Sequence, residues 1–393
     1  MSQIRNLIRQ PKTVFLAGIL VIYTALIIWL DLLQGTVWHD EGSFWGTSLT
    51  FSNQLLPSIE DLKDYRELNT PLPFMIFGAL EYLFHGGIFS GRLLNLILSI
   101  IMTFMIGWPS KGKNWLSLLS LAGLFMCPYY LWLSGRLYTE MLACFFVLTG
   151  VILYLTNRHI LSSISFILAI STRQYMLAFP VGIAVFEAFF AFKSRTKPNI
   201  KIIFPIIASL SILGWFALFG GLAPATSYEV RQAPDVQRSL LALAPNNSLY
   251  FLSMVGLYFV IPEMILFWRQ FSLRTMLESP NLRRTQIALI FICLTLFFTF
   301  PPSFVANGLL IKVVDLIPIY ALKIALIFGL ALFACLRFSH LRLETWLLLF
   351  NSLIMMKAFP WDRYVLPLMV VLWFLKSIGS LDSYQLDKTI RSD

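Results

Sequence analysis

Stretches of about twenty apolar residues recur along almost the whole chain, and no other feature limits its folding so tightly. As an α-helix, such a run spans roughly 30 Å, the thickness of a bilayer's hydrocarbon core. The runs are long and unbroken, without the ten-residue alternation of a transmembrane barrel. Composition agrees: of 393 residues, 58% are hydrophobic and 13% charged, and mean hydropathy is +0.75. The chain therefore reads as an all-α polytopic membrane protein without a soluble domain.

The formal net charge of +10 is distributed as the positive-inside rule requires, in short loops that alternate along the sequence. "SKGKN" (110–114), "NRH" (157–159), "KSRTKPNIK" (193–201), the stretch Arg269 to Arg284 and "RFSHLR" (337–342) are expected to be cytoplasmic. About twelve transmembrane helices satisfy this, at 13–33, 92–109, 115–132, 140–156, 160–172, 175–192, 202–220, 248–267, 286–302, 316–336, 343–359 and 363–378. Both termini then face the cytoplasm. The first segment exceeds a signal-peptide core and no small-residue cleavage site follows it, so it is expected to be retained. No basic face is interleaved with aromatics, which argues against nucleic acid as a partner.

Two long loops fall on the external side. Residues 35–91 carry Asp40, Glu41, Glu60, Asp61, Asp64 and Glu67, with a short apolar stretch, Phe74–Phe84, expected to lie along the membrane rather than cross it. Residues 221–247 carry Tyr228, Glu229, Arg231, Asp235 and Arg238, and loops of this length often serve as lids or binding loops. The "NNS" at Asn246 is read as a helix-start cap.

The four cysteines, Cys127, Cys144, Cys293 and Cys335, sit in apolar segments without CxxC spacing and read as small buried hydrophobes. His39, His85, His159 and His340 show no metal-binding spacing, so neither a metal nor another cofactor is expected.

Polar residues at the external boundary are the informative ones in so apolar a chain. Asp40 and Glu41 follow the first helix, Arg92 opens the second, and "SGRLYTE" supplies Arg136 and Glu140. "TRQY" adds Arg173 and Gln174, and "KAFPWDRY" adds Lys357, Asp362 and Arg363. Arginine forks suit phosphate, and an acid beside them suits general-base work on a hydroxyl. A phosphate within reach of a membrane cavity suggests a lipid phosphate. The plainer alternative is that arginines at helix ends snorkel to headgroups, with Arg136 and Glu140 pairing along one helix start.

In this order, the motifs resemble the GT-C superfamily of membrane glycosyltransferases, and within it the dolichyl-phosphate-glucose α-1,2-glucosyltransferase family. "HDEGSF" looks like that family's Asp-Glu signature, "NTPLP" its Thr-Thr-x-Pro-Gly turn and "GRLLN" its Arg-Phe-x-Asn. "CPYYLWLSGRLYTE", "TRQYM" and "DRYVLP" resemble later segments. The likeness covers about residues 36–180 and 360–367. Leu72 and Pro73 depart from the Pro-Gly of the turn, Tyr175 and Met176 from the Thr-Asn after Arg-Gln, and no histidine follows Phe44.

The resemblance implies one integral membrane domain over 1–393, a GT-C-like module in 1–220 and further helices in 221–393. It implies inverting transfer of a sugar from a polyprenyl- or dolichyl-phosphate donor to a hydroxyl of a glycan or glycolipid acceptor on the external face. That face belongs to a bacterial plasma membrane or, alternatively, the endoplasmic reticulum. Asp40 would be the general base, with Glu41 orienting hydroxyls; the two acids could exchange roles. Arg363, Arg173 and Arg92 would hold the lipid phosphate, with Gln174, Arg136, Glu140, His39 and Trp38 contacting sugar or acceptor or supporting them. Trp38, Trp45 and Trp361 also suit an interfacial aromatic belt. A flippase or transporter of a lipid-linked sugar is the rival, and Lys323 is the charge that fits it best. A membrane acyltransferase would want a histidine within the bundle, whereas His159 and His340 fall in basic loops.

Overall fold

The computed structural model describes residues 10–109, 114–195, 199–239, 241–268, 280–302 and 306–382. The basic stretches 110–113, 196–198 and 269–279 and the amino-terminal residues 1–9 lie outside the described residues. The regular structure is helical throughout, apart from one isolated bridge between Asn307 and Trp361. The chain is an all-α membrane protein: six helices are long and apolar enough to cross a bilayer, or seven if one bent pair counts as a span.

Those six are α1 (Pro11–Trp29), α5 (Ile88–Gly107), Gln174–Lys193, Ile200–Phe219, Pro245–Leu266 and Tyr320–Arg337. At five of the remaining expected crossings the helices are shorter, α8 (Glu140–Leu155), α9 (His159–Thr172), Gln286–Thr299, Leu343–Ile354 and Leu366–Ser377, and α4 (Leu72–Phe84) is short as well. The expected 115–132 helix divides into α6 (Asn114–Phe125) and α7 (Pro128–Ser134), bent by 78°. Pro128 is the cause, because it cannot donate to the preceding turn and it pushes Cys127 out of helical conformation.

The 13 residues of α4 span about 20 Å, too little for a bilayer. This helix rests on α2 (His39–Thr50): a Cβ at Gly78 would lie 2.8 Å from the Phe51 carbonyl oxygen, so only glycine lets the two backbones meet. Glu81, near the end of α4, accepts from the Gly87 amide at 2.8 Å and closes the turn after α4. At the 245 boundary Pro245 takes the first helical position and Ala244 the cap, so Asn246 is not a cap. Asn247 instead donates to the Ala358 carbonyl at 2.7 Å.

The Pro245–Leu266 helix carries a π-turn over Gly256–Val260, immediately before Pro262, where an α-helical hydrogen bond is lost. Gly256 there admits the Tyr320–Arg337 backbone, since a Cβ would meet the Leu330 carbonyl oxygen at 2.1 Å. Small residues at helix crossings are how membrane helices gain contact without a hydrophobic drive. Buried hydroxyls supply the rest: Tyr23, Ser99, Thr103 and Tyr130 form one network joining α1, α5 and α7 at 2.7 to 3.0 Å.

The last long helix, α20 (Leu366–Ser377), is buried on every side, as its apolar sequence requires. Between α9 and α20 come α10 (Ala178–Lys193), α11 (Ile203–Phe219), α12 (Ala225–Val230), α13 (Asp235–Arg238), α14 (Pro245–Val255), α15 (Ile261–Leu266), α16 (Pro280–Thr299), α17 (Leu309–Asp315), α18 (Tyr320–Arg337) and α19 (Leu343–Ile354). In α3 (Ile59–Lys63), Ser58 and Asp61 form a capping box.

Candidate active site

The turn after α1 places the first acids. Asp31, Leu32 and Leu33 all have positive φ (49°, 52° and 67°), a conformation that costs non-glycine residues energy. Arg92 fastens this turn, donating to the carbonyls of Leu33 and Gly35 at 2.8 Å each. Its other nitrogens form a two-pronged pair with Glu41, Nε to Oε1 and Nη2 to Oε2, both at 2.7 Å. Glu41 is fully buried and also accepts from the amides of Leu137 (2.8 Å) and Trp38 (3.3 Å). These donors occupy both oxygens of Glu41. As placed, Glu41 and Arg92 tie α1, α2, α5 and the 136–138 turn together.

Asp40, one residue earlier, is different. Its side chain keeps 19% exposure, and its one partner among the described residues is Arg363, whose Nη1 donates to Oδ2 at 3.0 Å. Behind Arg363 lies Glu140, 1% exposed, whose Oε1 is 3.0 Å from Arg363 Nε and 2.5 Å from Arg173 Nη1. Those two contacts have ion-pair distance without hydrogen-bond geometry, so the attraction is chiefly electrostatic. Aromatic faces hold the guanidiniums: Arg363 lies 3.6 Å over Trp361 and 5.1 Å over Tyr138, and Arg173 lies 4.7 Å over Tyr364. Asp40, Glu140, Arg173 and Arg363, scattered over more than 320 positions, thus form one chain of charges.

Gln174 takes a structural place in this arrangement. Its amide donates to the Leu68 carbonyl at 2.6 Å and the Leu222 carbonyl at 3.3 Å, joining the two long loops. Arg136 forms no ion pair with the acids among the described residues, Glu41 acting on it only through space, and its guanidinium lies 4.8 Å over Trp38 and 5.3 Å over Trp132. Trp38 is half exposed. His39 opens α2, but its side chain lies outside the described residues. Asp362, grouped by sequence with Arg363, faces the other way. It accepts from the hydroxyls of Tyr250 (2.5 Å) and Tyr258 (2.6 Å) and the Leu310 amide (2.8 Å), anchoring α17 and α14.

Sequence reasoning left a second pair out of the site. Arg231, from the 221–247 loop, clasps Glu67, from the 35–91 loop, with two nitrogens on its two oxygens. Thr226 adds a bond to Asp64 at 2.9 Å. Glu67 is 3% exposed, and burial outweighs Arg231 to push its carboxyl up to about 7, with Asp40 adding to the rise and Arg363 opposing it. The available signal was charge complementarity, an acid in one long loop and an arginine in the other.

Among the described residues no cluster of three or more His, Cys, Asp or Glu side chains is arranged to hold a metal. No protein-family model, curated protein or solved structure matches the chain.

Proposed function

We propose that this membrane protein is a glycosyltransferase that moves a sugar from a polyprenyl- or dolichyl-phosphate donor to a glycan or glycolipid hydroxyl, with inversion, at the external end of its helices. One observation carries the reading. Of the four acids gathered here, Glu41, Glu67 and Glu140 are closed off at 3% exposure or less, and Asp40 alone is both ion-paired and open. An open carboxylate on a rigid shoulder is the group a general base requires.

In this reading Asp40 removes the acceptor hydroxyl's proton as that oxygen bonds to the anomeric carbon. The bond from that carbon to the phosphate oxygen breaks, and the lipid phosphate leaves with the electron pair. Arg363 has five N–H donors, of which Nη1 and Nε face Asp40 and Glu140. Its remaining donors suit the leaving phosphate, and stabilising that charge is usually the largest catalytic term. Arg173 shares Glu140 and adds positive charge behind it. Arg92 supports the turn that carries Asp40 rather than reaching the phosphate itself, given the partners that hold it. The joined loops, with Gln174 and the Arg231–Glu67 clasp, suit a cover that keeps water from the donor.

The rival, a flippase, gains little from Lys323. That lysine stands in the first turn of α18, 3.2 Å from Asp315, rather than at mid-helix. The test is transfer in detergent with radiolabelled polyprenyl-phosphate glucose, mannose and arabinose and a crude lipid and glycan extract. Label reaching a new product with wild type and not with Asp40→Asn supports the proposal. Labelled lipid that changes leaflet without donor consumption supports the flippase instead.

A further inference from the structure

We infer that Arg136 is the centre of a separate anion site, built for a phosphate group and lying at the lipid-facing end of α1. The argument begins with charge. Asp40, Glu41, Glu67 and Glu140 are matched by Arg92, Arg173, Arg231 and Arg363, four carboxylates against four guanidiniums. Arg136 is a fifth guanidinium, and among the described residues no carboxylate lies within ion-pair distance of it. It is 8% exposed, and its Nε is buried with no hydrogen-bond partner. Glu41, the carboxylate that acts on it through space, has both oxygens committed to Arg92 and to two amides, so the Arg136 charge is only partly compensated. Burying such a charge is costly unless something supplies more of the opposite sign.

The space for that counter-charge is present. A cavity of about 80 Å³ is lined by Trp29, Gly35, Thr36, Arg92, Gly135 and Arg136. That is several times the room one water needs. Arg136 is its cationic wall, Arg92, committed to Glu41 and three carbonyls, lines one side, and Thr36 stands exposed at its lip. Trp38 and Trp132 meet edge to face at 89°, and the corner they make holds the Arg136 guanidinium 4.8 and 5.3 Å from their centroids.

The setting favours an anion held at a membrane surface. Trp29, Leu32 and Trp38 stand 64%, 63% and 49% exposed around the end of a membrane-crossing helix. Aromatic and apolar side chains at that position meet acyl chains and headgroups. The ligand chemistry is a phosphate monoester or diester, supplied by a phospholipid headgroup or by free phosphate. The site does not share its arginine stack with Arg363, which rests on Trp361 and Tyr138. It therefore does not rest on the sugar-transfer reading.

The test uses the full chain purified in a maltoside detergent, which contains no phosphate, and no sugar donor is added. Native mass spectrometry compares retention of phosphatidylglycerol with diacylglycerol bearing the same tails. Tryptophan emission is followed in parallel while inorganic phosphate is titrated against chloride. Wild type is expected to retain one phosphatidylglycerol and to discriminate against diacylglycerol. Arg136→Gln and Thr36→Glu, which puts a carboxylate at the lip, should weaken retention about 10- to 100-fold, as loss of charge-assisted hydrogen bonds predicts. Arg136→Lys should keep part of it. An emission change with phosphate that is absent in Arg136→Gln, without lipid preference, assigns the site to free phosphate and still supports it. Equal retention of both lipids by wild type with no phosphate response, or undiminished binding in folded Thr36→Glu, overturns it. Thr36 is exposed, so that variant decides the matter should Arg136→Gln fail to fold.

Discussion

Two buried glutamates, each held by two basic side chains, stand at opposite ends of the same central helix. Arg363 precedes α20 and Lys376 nearly ends it, thirteen residues or about 20 Å further on. At the far end Glu263, fully buried in α15, takes two hydrogen bonds from Arg337 at 2.6 and 2.8 Å and lies 3.0 Å from Lys376. Lys376 also lies over the Phe267 ring. At the site end Glu140 is just as buried, but its cation Arg363 reaches on to a third group, the partly exposed Asp40. The Glu263 cluster ties α15, α18 and α20 together around a carboxylate buried from solvent. The Glu140 cluster is built from similar groups but has an open end. A buried ion pair alone says little about function, because its desolvation cost can cancel its attraction. The open terminal carboxylate separates the two.

The comparison can be broken at several points. The largest effect is expected for Asp40→Asn, with transfer reduced roughly 10²- to 10⁴-fold, the usual contribution of a positioned base. Its melting temperature should stay near wild type, since Asp40 has one partner and partial exposure. Next come the glutamates. Glu263→Gln and Glu140→Gln should each cost about 3 to 5 kcal/mol, because removing one member of a buried charge cluster strands the others. Thermal unfolding measures that cost. Glu263→Gln should leave transfer per folded molecule unchanged, while Glu140→Gln should reduce it, since Arg363 and Arg173 lose the group that positions them. Equal activity in both variants would erase the distinction drawn here.

A smaller effect concerns the loop clasp. The Glu67 carboxyl is pushed up from 4.5 to about 7. Below the lower value both folded and unfolded chains hold the proton, and between the two values only the folded chain does. The stability it contributes is therefore complete in acid and is lost as pH rises through about 7, up to about 3 kcal/mol. Hydrogen-exchange protection in residues 64–70 and 222–232, taken relative to the intrinsic base-catalysed rate, should fall across that window, and Glu67→Gln should abolish that fall. The smallest effect belongs to Gln174→Ala. Losing two amide donations between the loops should cost about 1 kcal/mol and raise KM more than it lowers kcat, as measured by steady-state transfer.

Much of the site was legible in the sequence because polar residues are rare in so apolar a chain. Asp40, Glu140, Arg173 and Arg363 all stand out as charges at the external boundary of apolar segments, and the structure brings them together. Adjacent residues were harder. Asp40 and Glu41 look equivalent on paper, as do Asp362 and Arg363 as boundary charges. Each pair lies in the first turn of a helix or 3-10 turn, where successive side chains point about 100 to 120° apart. One member thereby reaches the charge chain, and the other turns into Arg92 or into the tyrosines. The Arg231–Glu67 clasp joins positions 164 residues apart, and no local pattern announces it.

By itself the sequence determined the helical class and located the long apolar helices, six or seven of which, against the expected twelve, are long enough to cross a bilayer among the described residues. Length and hydropathy are local properties, and a bilayer forces the backbone to pair within a helix or a closed barrel, of which long unbroken apolar runs fit the helix. The break at Pro128 was equally local, written in one residue although read as part of a continuous helix. The tertiary structure decided which carboxylate is open and which are closed, and which arginine is left without an acid. Those outcomes depend on distances between residues remote in sequence and on which side chains burial strips of water, and both exist only once the helices have packed.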